Sequence, residues 1–133
     1  MTRWIVALLL TITLAATAQS PQPVKEDPPE TVVATFYLRP EKVDDFFKMM
    51  PAYWQLLRKL DLVEPEPGLL LRGDDSTGKP IAMQVFTWKH SSTPDNAPPD
   101  LQKYWNQMND MVEKRGGHQG IEFPEMHLVP MRK

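Results

Sequence analysis

Thr31-Val32-Val33-Ala34-Thr35-Phe36-Tyr37-Leu38-Arg39-Pro40 holds the first clear element of the chain and the signal that ends it. β-Branched and aromatic side chains take six of the first eight positions, the composition of a pleated strand. Alternate residues point to opposite faces. Val32, Ala34, Phe36 and Leu38 therefore make one apolar side, and Val33, Thr35, Tyr37 and Arg39 a mixed one. Pro40 fixes its own φ and needs no amide donor, which suits the first turn of a helix. Glu41 to about Leu60 continues with Val43, Phe46, Phe47, Met50, Trp54 and Leu57 at helical spacing. Asp44 and Asp45 sit near its start and Arg58 and Lys59 near its end, as the helix dipole favours. Pro51 falls inside this pattern and is expected to kink the helix or divide it.

Pro65, Pro67 and Gly68 are expected to end the helical region. Leu69–Arg72 reads as a second strand, 73–78 as a polar loop and Ile81–Lys89 as a third strand, together an antiparallel hairpin. In the third strand Ile81, Met83 and Val85 share one side, and Gln84, Phe86 and Trp88 the other. Pro98 and Pro99 open a second helix, whose stripe is Leu101, Tyr104, Trp105, Met108, Met111 and Val112. Lys114 and Arg115 are expected to close it, with Gly116-Gly117 as its stop. Ile121–Val129 reads as a fourth strand, with Pro124 marking an edge or a bulge. The order β-α-β-β-α-β predicts an α+β, ferredoxin-like domain: a four-stranded antiparallel sheet with two helices on one face.

Upstream, Arg3 precedes a run from Trp4 to Ala16 broken only by Thr11 and Thr13, and Ala16-Thr17-Ala18 supplies a small-x-small cleavage pattern. The run falls short of the roughly 20 apolar residues that span a bilayer. Residues 1–18 are therefore expected to be a cleaved signal peptide, leaving no stable membrane anchor and a periplasmic or secreted protein. The chain has no cysteine, so neither a lipoprotein linkage nor a disulfide is available to it. Residues 19–30, with Pro21, Pro23, Pro28 and Pro29, read as a disordered spacer, and 31–130 as the folded domain. After cleavage 14 basic and 17 acidic residues remain, with no basic stripe, which speaks against a nucleic-acid partner.

A sheet with helices on one side leaves its other side bare. The residues assigned to that side, Val33, Tyr37, Leu70, Phe86, Trp88, Phe123 and Val129, are mostly apolar. Such a surface marks an interface or a ligand site. Two copies packed sheet to sheet would supply burial that a small disulfide-free domain lacks, so a homodimer is expected.

The βαββαβ order, the strand ending Phe86-Thr87-Trp88-Lys89 and the return strand through Glu122-Phe123-Pro124-Glu125 resemble the dimeric α/β-barrel superfamily, in particular antibiotic-biosynthesis-monooxygenase-type domains. The likeness spans 31–130. It implies a homodimeric barrel with a small-molecule pocket between each sheet and its helices. It also implies oxidation of aromatic substrates without a separate flavin or metal, so no cofactor is expected. Relatives that degrade haem carry an asparagine on strand 1, a tryptophan ending strand 3 and a histidine on helix 2. Only Trp88 matches that set, which points away from haem.

Same-face reasoning gathers Tyr37, Arg39, Arg72, Gln84, Phe86 and Trp88 as ligand-binding candidates, with Glu125 and His127 beside them as catalytic candidates. Glu125 would orient the His127 ring as a general base for a phenol-like substrate, and an arginine would hold an anionic group. The rival role for each is packing or an ion pair. His90, His118 and His127 lie in three separate segments without ligand spacing, so no metal site is expected. There is no phosphate-binding glycine loop and no nucleophile elbow. The sequence therefore points to an exported homodimer that binds a small aromatic or apolar molecule or oxygenates one without a cofactor. A dimerisation or partner-contact module with no ligand pocket is the alternative.

Overall fold

The computed structural model describes residues 27–127 and 129–131. The expected signal peptide and spacer residues 19–26 lie outside the described residues. Strand β1 (Glu30–Tyr37) is the centre of the sheet. It pairs antiparallel with β3 (Pro80–Trp88) on one side, and β3 pairs antiparallel with β2 (Val63–Asp74). A 3₁₀ turn at Pro40–Lys42 leads into helix α1 (Val43–Lys59), and helix α2 spans Pro99–Met111. After α2 come β4 (Lys114–Arg115), β5 (His118–Gln119), β6 (Ile121–Glu122) and β7 (Glu125–Met126). Both β6 and β7 pair with the outer edge of β1. They are the two halves of the fourth strand, broken at Phe123-Pro124, where proline has no N–H to offer the ladder. The result is the ferredoxin-like order with an interrupted edge.

Four local expectations change. α1 runs unbroken through Pro51, which faces solvent, so its missing amide and ring do not divide the helix. β2 starts at Val63 and absorbs Pro65 and Pro67 in a register shift between Val63 and Gly68, rather than waiting for Leu69. α2 stops at Met111. Lys114 and Arg115 belong to a two-residue hairpin whose turn is Gly116-Gly117, with φ of 54° and 83°, and that turn requires residues at ease in the left-handed region. Asp27 and Pro28, assigned to the spacer, are tied to the loop after β3: the Asp27 carboxylate accepts from Ser91 Oγ at 2.9 Å and from Ser92 N at 2.8 Å. Ser91 N also donates to the Pro28 carbonyl at 2.9 Å.

The core lies between the helices and one sheet face. Leu38, Phe46, Leu57, Val63 and Leu101 are fully enclosed. Phe36 meets Phe46 with ring centroids 4.9 Å apart, and Trp54 meets Phe86 at 6.4 Å. The largest correction concerns which face is which. β1 and β3 pair with Val32 opposite Phe86, Ala34 opposite Gln84 and Val33 opposite Val85. Directly opposed residues share a face, so Gln84, Phe86 and Trp88 lie under the helices with Ala34 and Phe36. Leu70, opposite Gln84, and Arg72, opposite Ala82, belong to the same side. The open face instead carries Val33, Thr35, Tyr37, Ile81, Met83, Val85, Leu69 and Leu71. β3 is largely apolar on both sides, so alternation alone leaves its phase free. Pairing sets it.

Two close approaches fix the ends of this sheet. The Trp54 indole lies on Gly68, where a Cβ would come within 2.7 Å of Trp54 Cζ2. A Cβ on Gly120 would meet the Glu113 carbonyl oxygen at 2.5 Å, because Gly120 N donates to that oxygen at 2.7 Å and Gly120 O accepts from Tyr37 N at 2.8 Å. Arg115 then clamps the β4–β5 hairpin across the sheet end. Its guanidinium stacks 3.6 Å over the Tyr37 ring and donates to Asp75 Oδ2 at 2.9 Å. Asp75 Oδ1 accepts from Thr77 N, Thr77 Oγ1 and Lys79 N, which holds the β2–β3 turn. These hydrogen bonds, led by the Thr77 hydroxyl, hold the Asp75 carboxyl well below the usual aspartate range.

Gly68→Ala is expected to cost about 1–3 kcal/mol by overpacking against a ring that can tilt. Gly120→Ala should cost more, because a backbone oxygen cannot move aside; denaturant titration of both variants checks the order. Because the folded-state pKa of Asp75 is depressed, its contribution is present above the ordinary aspartate value of 3.8 and fades as pH falls below it. Asp75→Asn should therefore lower the melting temperature at neutral pH, and the gap to the parent protein should close in acid. A gap that does not depend on pH would contradict the ionised clamp.

Candidate functional site

The helix-facing side of the sheet is not completely filled. Between β1, β3 and α2 lies a cavity of about 410 Å³. Val32, Ala34 and Phe36 of β1, with Gln84, Phe86 and Trp88 of β3, make its floor. Tyr53 of α1 and Trp105, Met108 and Asn109 of α2 roof it, and Glu30, Pro94, Ile121, Phe123 and Pro124 form its rim. The walls are predominantly apolar, the usual character of a small-molecule site. A strand with aromatics every second residue presents both to the same side, which is how Phe86 and Trp88 come to lie edge to face with centroids 4.9 Å apart. Trp105 crosses above Trp88 at 6.5 Å. Phe123 is two-thirds exposed at the rim, placed there by the break between β6 and β7.

The polar groups inside are few. Gln84 is 5% exposed, yet among the described residues nothing hydrogen-bonds its side-chain amide. An amide in that position has a donor and an acceptor to offer to whatever occupies the space. Tyr53 is 2% exposed, and its hydroxyl oxygen accepts from Trp105 Nε1 at 3.0 Å. Burial pushes the Tyr53 phenol up to about 12, so it stays protonated.

The cavity brings together three of the eight residues expected at a site, Gln84, Phe86 and Trp88. Of the other five, Tyr37, Arg39, Arg72 and His127 are placed elsewhere. Tyr37 lies on the open face under Arg115, and its hydroxyl donates to Glu122 Oε2 at 3.1 Å, which raises its pKa. Arg39 pairs with Glu41 at 2.6 Å and donates to the Asp110 carbonyl at 3.2 Å, beyond the end of α2. Arg72 stands 5.1 Å over the Phe47 ring, on the helix side but away from the cavity. Glu125 pairs through β7 with Val32. His127, just past β7, is exposed and is not part of the cavity wall. The convergence expected of all eight is thus not found, because β3 turns its aromatic side away from Tyr37 and towards the helices.

Tyr53 and Trp105 are the roof residues that the sequence pattern did not single out as a site. Helical spacing puts Trp105 in the apolar stripe of α2 and Trp54, one position from Tyr53, in that of α1. In the structure Phe46, Met50, Tyr53 and Leu57 form the buried stripe of α1, and Trp54 is half-buried over Gly68. The available signal was the i, i+4, i+7, i+11 spacing through Phe46, which lands on Tyr53.

No family model matches the chain, and no curated protein matches it. Solved structures do. A conserved protein from Methanosarcina mazei Go1 is 15% identical with a TM-score of 0.54, over 75% of this chain and 94% of that one. A candidate antibiotic biosynthesis monooxygenase from Bacteroides thetaiotaomicron VPI-5482 is 16% identical with a TM-score of 0.53, over 80% of this chain and 95% of that one. A second candidate antibiotic biosynthesis monooxygenase, from Caulobacter crescentus CB15, is 15% identical with a TM-score of 0.50, over 77% and 92%. At these identities the likeness is one of backbone architecture. The chain shares the ferredoxin-like α+β fold of these structures, two of which are candidate antibiotic biosynthesis monooxygenases.

Proposed function

We propose that the protein is an exported homodimer that binds a small aromatic molecule in the cavity between its sheet and α2, as a carrier or as a cofactor-independent oxygenase. One observation carries the binding reading: an unspent, nearly buried Gln84 amide on the floor of an aromatic-walled space of about 410 Å³. Filling that space with side chains would have been the cheaper way to stabilise a core. The amide opens onto the cavity rather than being sealed in the core, so its donor and acceptor are free to meet a ligand's polar group. The cavity also argues against the alternative of a contact module with no pocket. The oxygenase reading is supported by the fold shared with the two candidate antibiotic biosynthesis monooxygenases.

The homodimer rests on the open face. Leu69 and Leu71 are each about half exposed and stand beside Met83 and Val85, with Val33 next across the sheet. A second copy covering this face would bury an apolar patch that a lone domain leaves in water. Export rests on the N-terminal pattern around Arg3 and Ala16-Thr17-Ala18.

Gln84→Leu is expected to leave the empty protein within about 1 kcal/mol of the parent, because the amide opens onto the cavity and leucine is of similar size. The same variant should bind naphthol, read by quenching of tryptophan emission, several-fold more weakly. Lower stability with unchanged naphthol binding would remove the ligand-facing role. Leu71→Glu should convert a dimer to a monomer in sedimentation equilibrium; a parent protein that sediments as a monomer at high concentration would remove the sheet-to-sheet dimer.

A further inference from the structure

We propose that the cavity selects an uncharged aromatic ligand bearing a carbonyl-type oxygen, and that Tyr53 donates the hydrogen bond to that oxygen while Trp105 holds the phenol in place. This rests on reading the cavity as a ligand site and adds the chemistry of what it takes.

A tyrosine hydroxyl has one proton to give and lone pairs to receive with. The Trp105 Nε1–H already occupies a lone pair of the Tyr53 oxygen at 3.0 Å. That leaves the Tyr53 proton, and among the described residues no acceptor takes it. The group is 2% exposed and lines the cavity, so the acceptor it lacks is one that a ligand can bring. Donation from the indole polarises the O–H and makes it a better donor than a free phenol. The two helices thus supply a matched pair: α2 contributes the indole that fixes the ring, and α1 the phenol that reads the ligand. Burial keeps that phenol protonated well beyond neutral pH, so the site offers a donor and not a phenolate.

Charge decides the rest of the class. Of the described residues lining the cavity, Glu30 alone carries a formal charge, and it is negative. The two arginines that could have held an anion are engaged elsewhere, Arg39 with Glu41 and Arg72 over Phe47. An aromatic carboxylate entering this space would lose its water without gaining a cation, and would do so beside Glu30. A ketone oxygen has much less to lose on desolvation. It gains the Tyr53 proton, and the Gln84 amide remains for a second polar atom.

The test compares naphthalene, acetonaphthone and naphthoate as ligands of the purified protein at neutral pH, by calorimetry and thermal shift. Acetonaphthone should bind about five- to tenfold tighter than naphthalene, the worth of one net hydrogen bond. Naphthoate should bind more weakly than either. Tyr53→Phe should bring acetonaphthone down to the level of naphthalene while leaving naphthalene binding unchanged, which also shows that the variant is folded. Trp105→Phe keeps an aromatic roof but loses the indole N–H, and should remove part of the same preference; it carries the test if Tyr53→Phe does not fold. Naphthoate binding as tightly as the ketone, or a ketone preference that survives both substitutions, overturns the proposal. If none of the three binds the parent protein, the ligand-cavity reading fails first and this inference fails with it.

Discussion

Everything in this domain depends on the pairing of β1 with β3. Val32 stands opposite Phe86 and Ala34 opposite Gln84, so the two central strands turn the same alternation towards the helices. Since side chains repeat with period two, a slip of one residue would exchange the faces completely. Phe86, Trp88 and Gln84 would then meet solvent or a second sheet, and Ile81, Met83 and Val85 would fill the space beneath α2. The observed register places Gln84, Phe86 and Trp88 of β3 beside Val32, Ala34 and Phe36 of β1, and these six side chains together make the cavity floor.

Around that pairing the chain uses glycine and proline where side chains or amides would obstruct. Gly68 makes a seat for Trp54, which lets α1 settle onto β2 while Tyr53 turns to the cavity. Pro124 interrupts the edge strand and leaves Phe123 at the rim instead of inside the ladder. Arg115, stacked on Tyr37 and bonded to Asp75, draws the β4–β5 hairpin against the far end of the sheet. Tyr37 is therefore committed to the architecture, which leaves Tyr53 as the tyrosine that faces the cavity.

The site was only partly legible beforehand. Gln84, Phe86 and Trp88 stand out in a single chain because polar and aromatic residues alternate there at period two, and the cavity does contain them. Tyr53 and Trp105 do not stand out, because a tyrosine or tryptophan on an amphipathic helix looks the same whether it packs or lines a space. The grouping with Tyr37, Arg39 and Arg72 followed from treating residues on four strands as one face before their phases were known.

Order of elements, strand and helix type and the position of the edge break follow from local chemistry: β-branched runs, helical spacing, Pro40 and Pro99 at helix starts, Pro124 in the last strand. These depend on a residue and its near neighbours in the chain, so one sequence contains them. The phase of β3, the switch of Gly116-Gly117 from helix stop to hairpin turn, and the meeting of Tyr53 with Trp105 are different in kind. Each is set by a partner roughly fifty residues away or by a choice between two conformations of similar local cost. Only packing the helices onto one particular side of the sheet chooses between them.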